Sequence, residues 1–204
     1  VLSLGRHINT YNLASKAGNY DRNVNPPLRR LKGQTIGIIG LGNIGTRVSE
    51  LANALGFNVL GFRQDMTKKV ADVQLVPLEQ LLTESDFVTL HLPLTDTNHH
   101  LIDAAALAMM KNSASLINTA RGPLVDHAAL AIALEQGEIA GAALDVQDPE
   151  PPDLSTPPYN DPRVIVTPHA AFVSVESLIE LRRSSMQNTL DVLLHGQSAN
   201  TVNL

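Results

Sequence analysis

The chain has 204 residues and no cysteine, with 44% hydrophobic residues, 17% charged residues and a formal net charge of −5. Its length exceeds a usual single domain of about 100–150 residues, so it can bury a sizeable core. The acidic balance, with a pI near 5.8, argues against nucleic acid or an anionic membrane surface as partner, and the lack of cysteine excludes a disulfide scaffold, a thiolate zinc site and a Cys nucleophile.

No apolar run approaches the ~20 residues of a membrane span, and no signal-peptide pattern opens the chain, which starts at Val1 as a fragment or a processed form would. Leu2, Leu4, Ile8, Leu13 and Ala17 predict a first helix running to about Gly18, and the polar, proline-bearing residues 19–27 predict an extended arm. Residues 35–39 form an apolar β-type run. It leads straight into Gly40-Leu41-Gly42-Asn43-Ile44-Gly45, after which Val48, Leu51, Ala52 and Leu55 recur at helical spacing. Further strands are expected over 57–62, 73–76, 86–92, 114–118, 139–146 and 163–166, with helices over 78–83 and 103–111 between them. Asp126 is a candidate N-cap for a helix ended by Gly137, and a long helix from 175 to 194 ends at Gly196. Strands alternate with helices throughout, which predicts an α/β fold with a doubly wound parallel sheet and right-handed crossovers.

The turn after the first strand carries chemistry. In G-x-G-x-x-G, Gly40 makes the tight turn, Gly42 lets backbone approach a pyrophosphate and Gly45 lets the helix pack closely on the strand. The helix N-terminus then faces the negative charge, so this strand, turn and helix predict a dinucleotide site.

Ligands of such sheets sit at the carboxyl ends of the strands. Four loops follow strands there: 91–95, 118–122, 145–151 and 167–171. They contribute Arg121, Asp145, Glu150 and His169. An Arg can hold a substrate carboxylate bidentately, and a His can pass a proton to a carbonyl as hydride arrives. A Glu touching that His would raise its pKa. Each residue alone has a plainer reading. Arg121 can cap a turn or pair with Asp126, Glu150 can be a solvated carboxylate among prolines, His169 can be a hydrogen-bonded strand-end histidine and Asp145 a helix-facing cap at a strand end. His91 reads as structural, His99 and His100 as loop residues, and His7, His127 and His195 as helix-surface residues.

Several segments together resemble the D-isomer-specific 2-hydroxyacid dehydrogenase family, in its NAD(P)-binding domain of Rossmann type. They are Leu31-Lys32-Gly33-Gln34-Thr35, His91-Leu92-Pro93-Leu94-Thr95, Met110-Lys111-Asn112, Ile117-Asn118-Thr119-Ala120-Arg121-Gly122, Gly141-Ala142-Ala143-Leu144-Asp145-Val146 and Thr167-Pro168-His169. The resemblance implies Arg121, Glu150 and His169 as the catalytic set and Asp145 as the partner of the nicotinamide amide. It also implies Leu92 and Pro93 at the adenosine, the backbone of Asn43 and Ile44 at the pyrophosphate, and that of Thr119 and Ala120 at the nicotinamide. Residues 1–172 would form the dinucleotide-binding domain with its N-terminal helix and arm. Residues 173–204 would be a helix and tail returning toward a substrate domain largely absent from this chain, so the chain alone is expected to bind dinucleotide but turn over slowly. A cytoplasmic homodimer with no nucleic-acid or membrane partner is implied as well.

The cofactor preference turns on the end of the second strand, where an acidic residue about 20 positions past the glycine turn accepts from the ribose hydroxyls of NAD. Here Arg63 stands 63 − 45 = 18 residues past Gly45, with Asp65 just beyond. A guanidinium suits a 2′-phosphate, so NADP is expected; a loop that brought Asp65 to the ribose would give NAD instead. The implied reaction is hydride transfer between NAD(P)H and a small 2-oxo or 2-hydroxy acid such as glyoxylate or hydroxypyruvate. Two alternatives sit on the same fold: a dinucleotide-responsive corepressor-like binding protein, and a dehydrogenase of another small anion such as phosphite. Glu150 argues against the family's formate branch, which has Gln there.

Overall fold

The computed structural model describes residues 1–23, 27–198 and 200. Part of the expected arm (24–26) and most of the expected tail (199 and 201–204) lie outside the described residues. The chain divides into two compact units, Val1–Pro168 and His169–Leu204.

The first unit is built on seven parallel strands: β1 (Thr35–Ile39), β2 (Asn58–Phe62), β3 (Gln74–Leu75), β4 (Phe87–Leu90), β5 (Ser115–Asn118), β6 (Gly141–Leu144) and β7 (Val164–Val166). Their order is β3-β2-β1-β4-β5-β6-β7. The chain therefore moves outward from β1 to β3, returns past β1 and runs the other way, so the switch point lies between β1 and β4. That is the doubly wound arrangement expected from the alternating pattern. Parallel strands covered on both faces must be apolar at successive positions, and all four residues of β4 and of β5 are buried.

Two apolar clusters, one larger than the other, form the core. The smaller gathers Ile36, Ile38, Phe57, Val59 and Phe87 with Leu41 and Ala52, and Phe57 meets Phe87 edge-on with centroids 5.9 Å apart. Ala52 belongs to α3 (Asn43–Ala54), the helix of the glycine turn. The larger takes Leu81 and Leu82 of α4 (Leu78–Glu84), Ala106 and Leu107 of α5 (Ala104–Met109), and Ala129, Leu130, Ala133 and Leu134 of α6 (His127–Gln136). Asp126 caps α6, accepting from the N–H groups of Ala128 and Ala129 at 3.0 Å each, and Gly137 closes it at φ +69°.

At the amino rim, Asp86 ties the sheet together. It accepts from the Thr35 N–H at 2.8 Å and from Lys111 Nζ at 3.1 Å, with Arg29 at 3.5 Å.

The expected first helix is two. α1 (Leu2–Gly5) and α2 (Ile8–Lys16) are separated by His7, which adopts a left-handed backbone at φ 50°. Gly5 comes close enough to Leu31 and Phe87 that a Cβ there would lie 2.6 Å from the leucine, and glycine also lowers helix propensity at the break. The apolar spacing spans both helices and does not reveal the turn. β3 keeps only two of the four expected residues, because its neighbour β2 pairs with it at Leu60 and Gly61 alone.

In the second unit, α7 (Val175–His195) starts at a capping box: Ser174 accepts from the Ser177 N–H at 2.9 Å while Ser177 Oγ accepts from the Ser174 N–H at 2.8 Å. It ends at Gly196, φ +73°. Val175, Leu181, Met186, Leu193 and Leu194 are exposed on it. Among the described residues no helix is long and apolar enough to cross a membrane.

Candidate active site

The glycine turn sits at the switch point. Gly40 has φ +96°, and a Cβ on it would lie 2.5 Å from the His91 carbonyl oxygen and 2.7 Å from Leu92 Cδ2. The loop after β4 therefore lies directly against the loop after β1. A Cβ on Gly45 would overlap the Gly40 carbonyl oxygen, so only glycine lets α3 begin this close to β1. Gly42 differs: among the described residues nothing lies within 4 Å of where its Cβ would be. It is the N-cap of α3 yet has no side chain to cap the first turn, and Asn43 and Ile44 beside it are exposed. Free helix-N-terminal N–H groups around an uncrowded glycine form a ready anion cradle.

Behind this turn, His91 is half-buried beside the end of β4, its Nε2 3.1 Å from Thr89 Oγ1. Burial of the ring holds its pKa down at about 4, so the imidazole is neutral near pH 7. Leu92 is half-buried and Pro93 exposed. Asn98 fixes their loop by donating to the Pro93 carbonyl at 2.8 Å and accepting from the Thr95 N–H at 2.7 Å.

After β5, Asn118 is fully buried and shapes the next loop. Its amide donates to the Arg121 carbonyl at 2.8 Å and its oxygen accepts from the Ala120 N–H at 3.0 Å. Thr119 is thereby left exposed at the rim. Arg121 is exposed too, its Nη1 donating to the Ala120 carbonyl at 2.6 Å. The plainer pairing with Asp126 is replaced, since Asp126 caps α6 and lies 3.7 Å from His100 Nδ1. Gly122 opens a short 3-10 turn (Gly122–Leu124) and abuts the Gln147 carbonyl so closely that a Cβ would overlap it. The Arg121 loop and the loop after β6 are thus in direct contact.

On that second loop Asp145 is 5% exposed and accepts from Thr167 Oγ1 at 2.5 Å. Gln147, also 5% exposed, donates through Nε2 to the Leu144 and Thr167 carbonyls at 3.1 Å each. Glu150 accepts the Gln147 N–H at 2.9 Å. Farther along, Tyr159 is 2.6 Å from His127 Nδ1, and burial lowers the pKa of this histidine. His127, expected on the helix surface, is half-buried and bonds to Tyr159 farther along the segment that follows Glu150. His169 belongs to the second unit and follows Pro168 in the chain.

At the end of β2, Arg63 Nη1 approaches the Lys68 carbonyl at 3.5 Å. Asp65 is engaged in its own turn, accepting from Thr67 N at 3.1 Å and Thr67 Oγ1 at 2.6 Å, with Lys68 Nζ at 3.7 Å. The Thr67 hydroxyl bond above all holds its pKa below the usual carboxylate value. Among the described residues no group of three His, Asp or Glu is placed to hold a metal ion.

No role is expected of Asn118, Gln147, Thr167 or Asn98 from sequence, because an uncharged polar residue at a strand end or in a loop carries no signal until its buried partners are known.

Residues 1–171 match the family model of the D-isomer specific 2-hydroxyacid dehydrogenase, NAD binding domain. A glyoxylate reductase of Korarchaeum cryptofilum is 43% identical over 164 residues, covering 78% of this chain and 48% of the relative. A D-lactate dehydrogenase structure from Sporolactobacillus sp. is 36% identical with a TM-score of 0.86, covering 99% of this chain and 65% of that one. The NAD-complexed D-isomer specific 2-hydroxyacid dehydrogenase of Lactobacillus delbrueckii ssp. bulgaricus is 30% identical with a TM-score of 0.89, covering 99% and 66%. The chain spans about half the length of the curated relatives it matches. With its doubly wound sheet, its open glycine turn and its ordered set of rim loops, the chain belongs to the D-isomer specific 2-hydroxyacid dehydrogenase family and corresponds to its NAD binding domain.

Proposed function

We propose that this chain is the dinucleotide-binding part of an oxidoreductase that transfers hydride between NAD(P)H and a small 2-oxo or 2-hydroxy acid of the glyoxylate or hydroxypyruvate kind. The observation that carries this reading is the contact between two rim loops, where Gly122 abuts the Gln147 carbonyl beside the glycine turn's sheet. It sets Arg121 and Glu150 on one loop cluster at the carboxyl rim, where such sheets bind their ligands. In this reading Arg121 holds the substrate carboxylate and His169, with Glu150, forms the acid/base pair. The cofactor would lie along Gly40, Gly42, Asn43, Ile44 and Gly45, against Leu92 and Pro93, and end at Thr119, Ala120 and Asp145. The bound nicotinamide supplies or accepts the hydride. The protein's own groups orient the acid and move the proton.

NADP is the preferred cofactor, with Arg63 at the 2′-phosphate. Asp65 supports this, since its carboxylate is committed to Thr67 and Lys68. The division into residues 1–172 and a returning segment 173–204, a homodimer and a cytoplasmic location complete the proposal.

A panel of 2-oxo acids assayed with NADPH and NADH on the intact protein tests it. Turnover of one of them, with NADPH bound at least tenfold tighter than NADH and that preference lost in Arg63→Ala, is the expected result. Tighter binding of NADH overturns the cofactor preference. Dinucleotide binding without turnover of any 2-oxo acid overturns the enzyme in favour of a dinucleotide-responsive binding protein.

A further inference from the structure

At the centre of the rim loops stands a residue with no charge and no place in the proposed chemistry. Gln147 is buried, and its backbone N–H and its side-chain NH2 are both engaged. Its side-chain amide spans the ends of two strands, donating to Leu144 O after β6 and to Thr167 O after β7 at 3.1 Å each. Both partners are carbonyl oxygens, which only the NH2 end of the amide can satisfy, so the surroundings dictate its orientation. Its backbone N–H donates to Glu150 Oε1 at 2.9 Å, and its backbone carbonyl receives the Arg121 loop at Gly122. Thr167, held by the same amide, in turn donates to Asp145 at 2.5 Å. One side chain thus braces the positions from which Glu150, Asp145 and Arg121 are presented.

We infer that Gln147 is the positioning residue of this site: its amide, strung between the Leu144 and Thr167 carbonyls, holds the Gln147 N–H where it aims the Glu150 carboxylate. The inference rests on the reading of Glu150 as half of an acid/base pair. A buried amide with both donors satisfied is rigid, and a carboxylate held by a rigid N–H has less freedom than one on a proline-bearing loop. Releasing the amide lets that loop drift, and a misplaced carboxylate no longer raises the pKa of the imidazole it serves.

The experiment uses the intact protein and two substitutions. Gln147→Met keeps length and removes both donors; Gln147→Asn keeps the amide but is one methylene too short to reach both carbonyls. In the direction of 2-oxo acid reduction, kcat/KM of Gln147→Met should fall about tenfold. Its alkaline limb should move to lower pH, by about one unit. Dinucleotide affinity should fall by less than kcat/KM does, since the glycine turn is untouched and only the support of Asp145 is loosened. Gln147→Asn should shift the limb in the same direction by less. A loss of packing alone would lower thermal stability without moving the limb.

Glu150→Gln separates the possible failures. If it leaves the alkaline limb in place, the reading of Glu150 falls. If it moves the limb and a folded Gln147 variant does not, the inference about Gln147 falls while that reading stands. Should Gln147→Met fail to fold, Gln147→Asn decides alone. The double variant Gln147→Met/Glu150→Gln should be no slower than Glu150→Gln, because the two act through one group; additive losses overturn the inference.

Discussion

Two glycine contacts frame the candidate site, and they differ in instructive ways. At Gly45 the missing side chain makes room for the carbonyl of Gly40, five residues earlier; at Gly122 it makes room for the carbonyl of Gln147, twenty-five residues later. The first contact closes within one turn and leaves a spaced pattern of glycines. The second joins loops from different strands and leaves only a glycine before a proline. Close packing of backbone on backbone is thus equally necessary at both places but visible in the sequence at only one. The first also builds the cofactor's cradle, whereas the second brings together residues proposed to act on substrate.

Substitution at the two glycines should expose the contrast most strongly. Gly45→Ala forces a methyl into a carbonyl that is anchored on one side by β1 and on the other by α3, so neither can yield. A loss of about 3 kcal/mol in denaturant unfolding is expected. Gly122→Ala strikes an equally close carbonyl, but both partners sit on loops. The loops should part at a smaller cost, about 2 kcal/mol, while turnover by the intact protein falls far more than stability does. Equal stability losses would erase the distinction between an anchored and a yielding contact.

A pH titration probes the cradle side by a different route. His91, whose carbonyl meets Gly40, releases its proton at about 4 in the folded chain and near its ordinary value of 6.5 when unfolded. Between those values the unfolded chain holds more protons, so stability falls as pH drops from 6.5 to 4 and levels off below. The window is worth about 3 kcal/mol at its limit. His91→Asn should flatten this part of the stability–pH curve, and an unchanged slope would show that other groups set it.

The smallest effect on folding belongs to Gly42. Its surroundings are open and its φ of −83° suits any residue, so Gly42→Ala should leave unfolding within about 0.5 kcal/mol of wild type. Dinucleotide affinity should nevertheless drop at least tenfold, about 1.4 kcal/mol, because the added methyl faces the expected pyrophosphate. Unchanged affinity by fluorescence titration would move the cofactor off this turn.

The alternation of strands and helices, the caps at Asp126, Gly137 and Gly196, and the charged members of the rim were all legible from local pattern. What escaped was decided by partners distant in sequence. The break at His7 depends on how closely Gly5 meets Phe87. The burial of His127 depends on Tyr159, thirty-two residues away. The bracing by Asn118 and Gln147 exists only once neighbouring strand ends are side by side. Short-range rules report the scaffold; the fine aim of the site is written in long-range hydrogen bonds.

The sheet also thins toward its margins, from five residues in β1 and β2 to two in β3 and three in β7. Outer strands so brief offer too few unpaired amides and carbonyls to recruit a foreign strand. A protein that has to keep one rim open to small molecules thereby shuts the route by which open parallel sheets grow into aggregates.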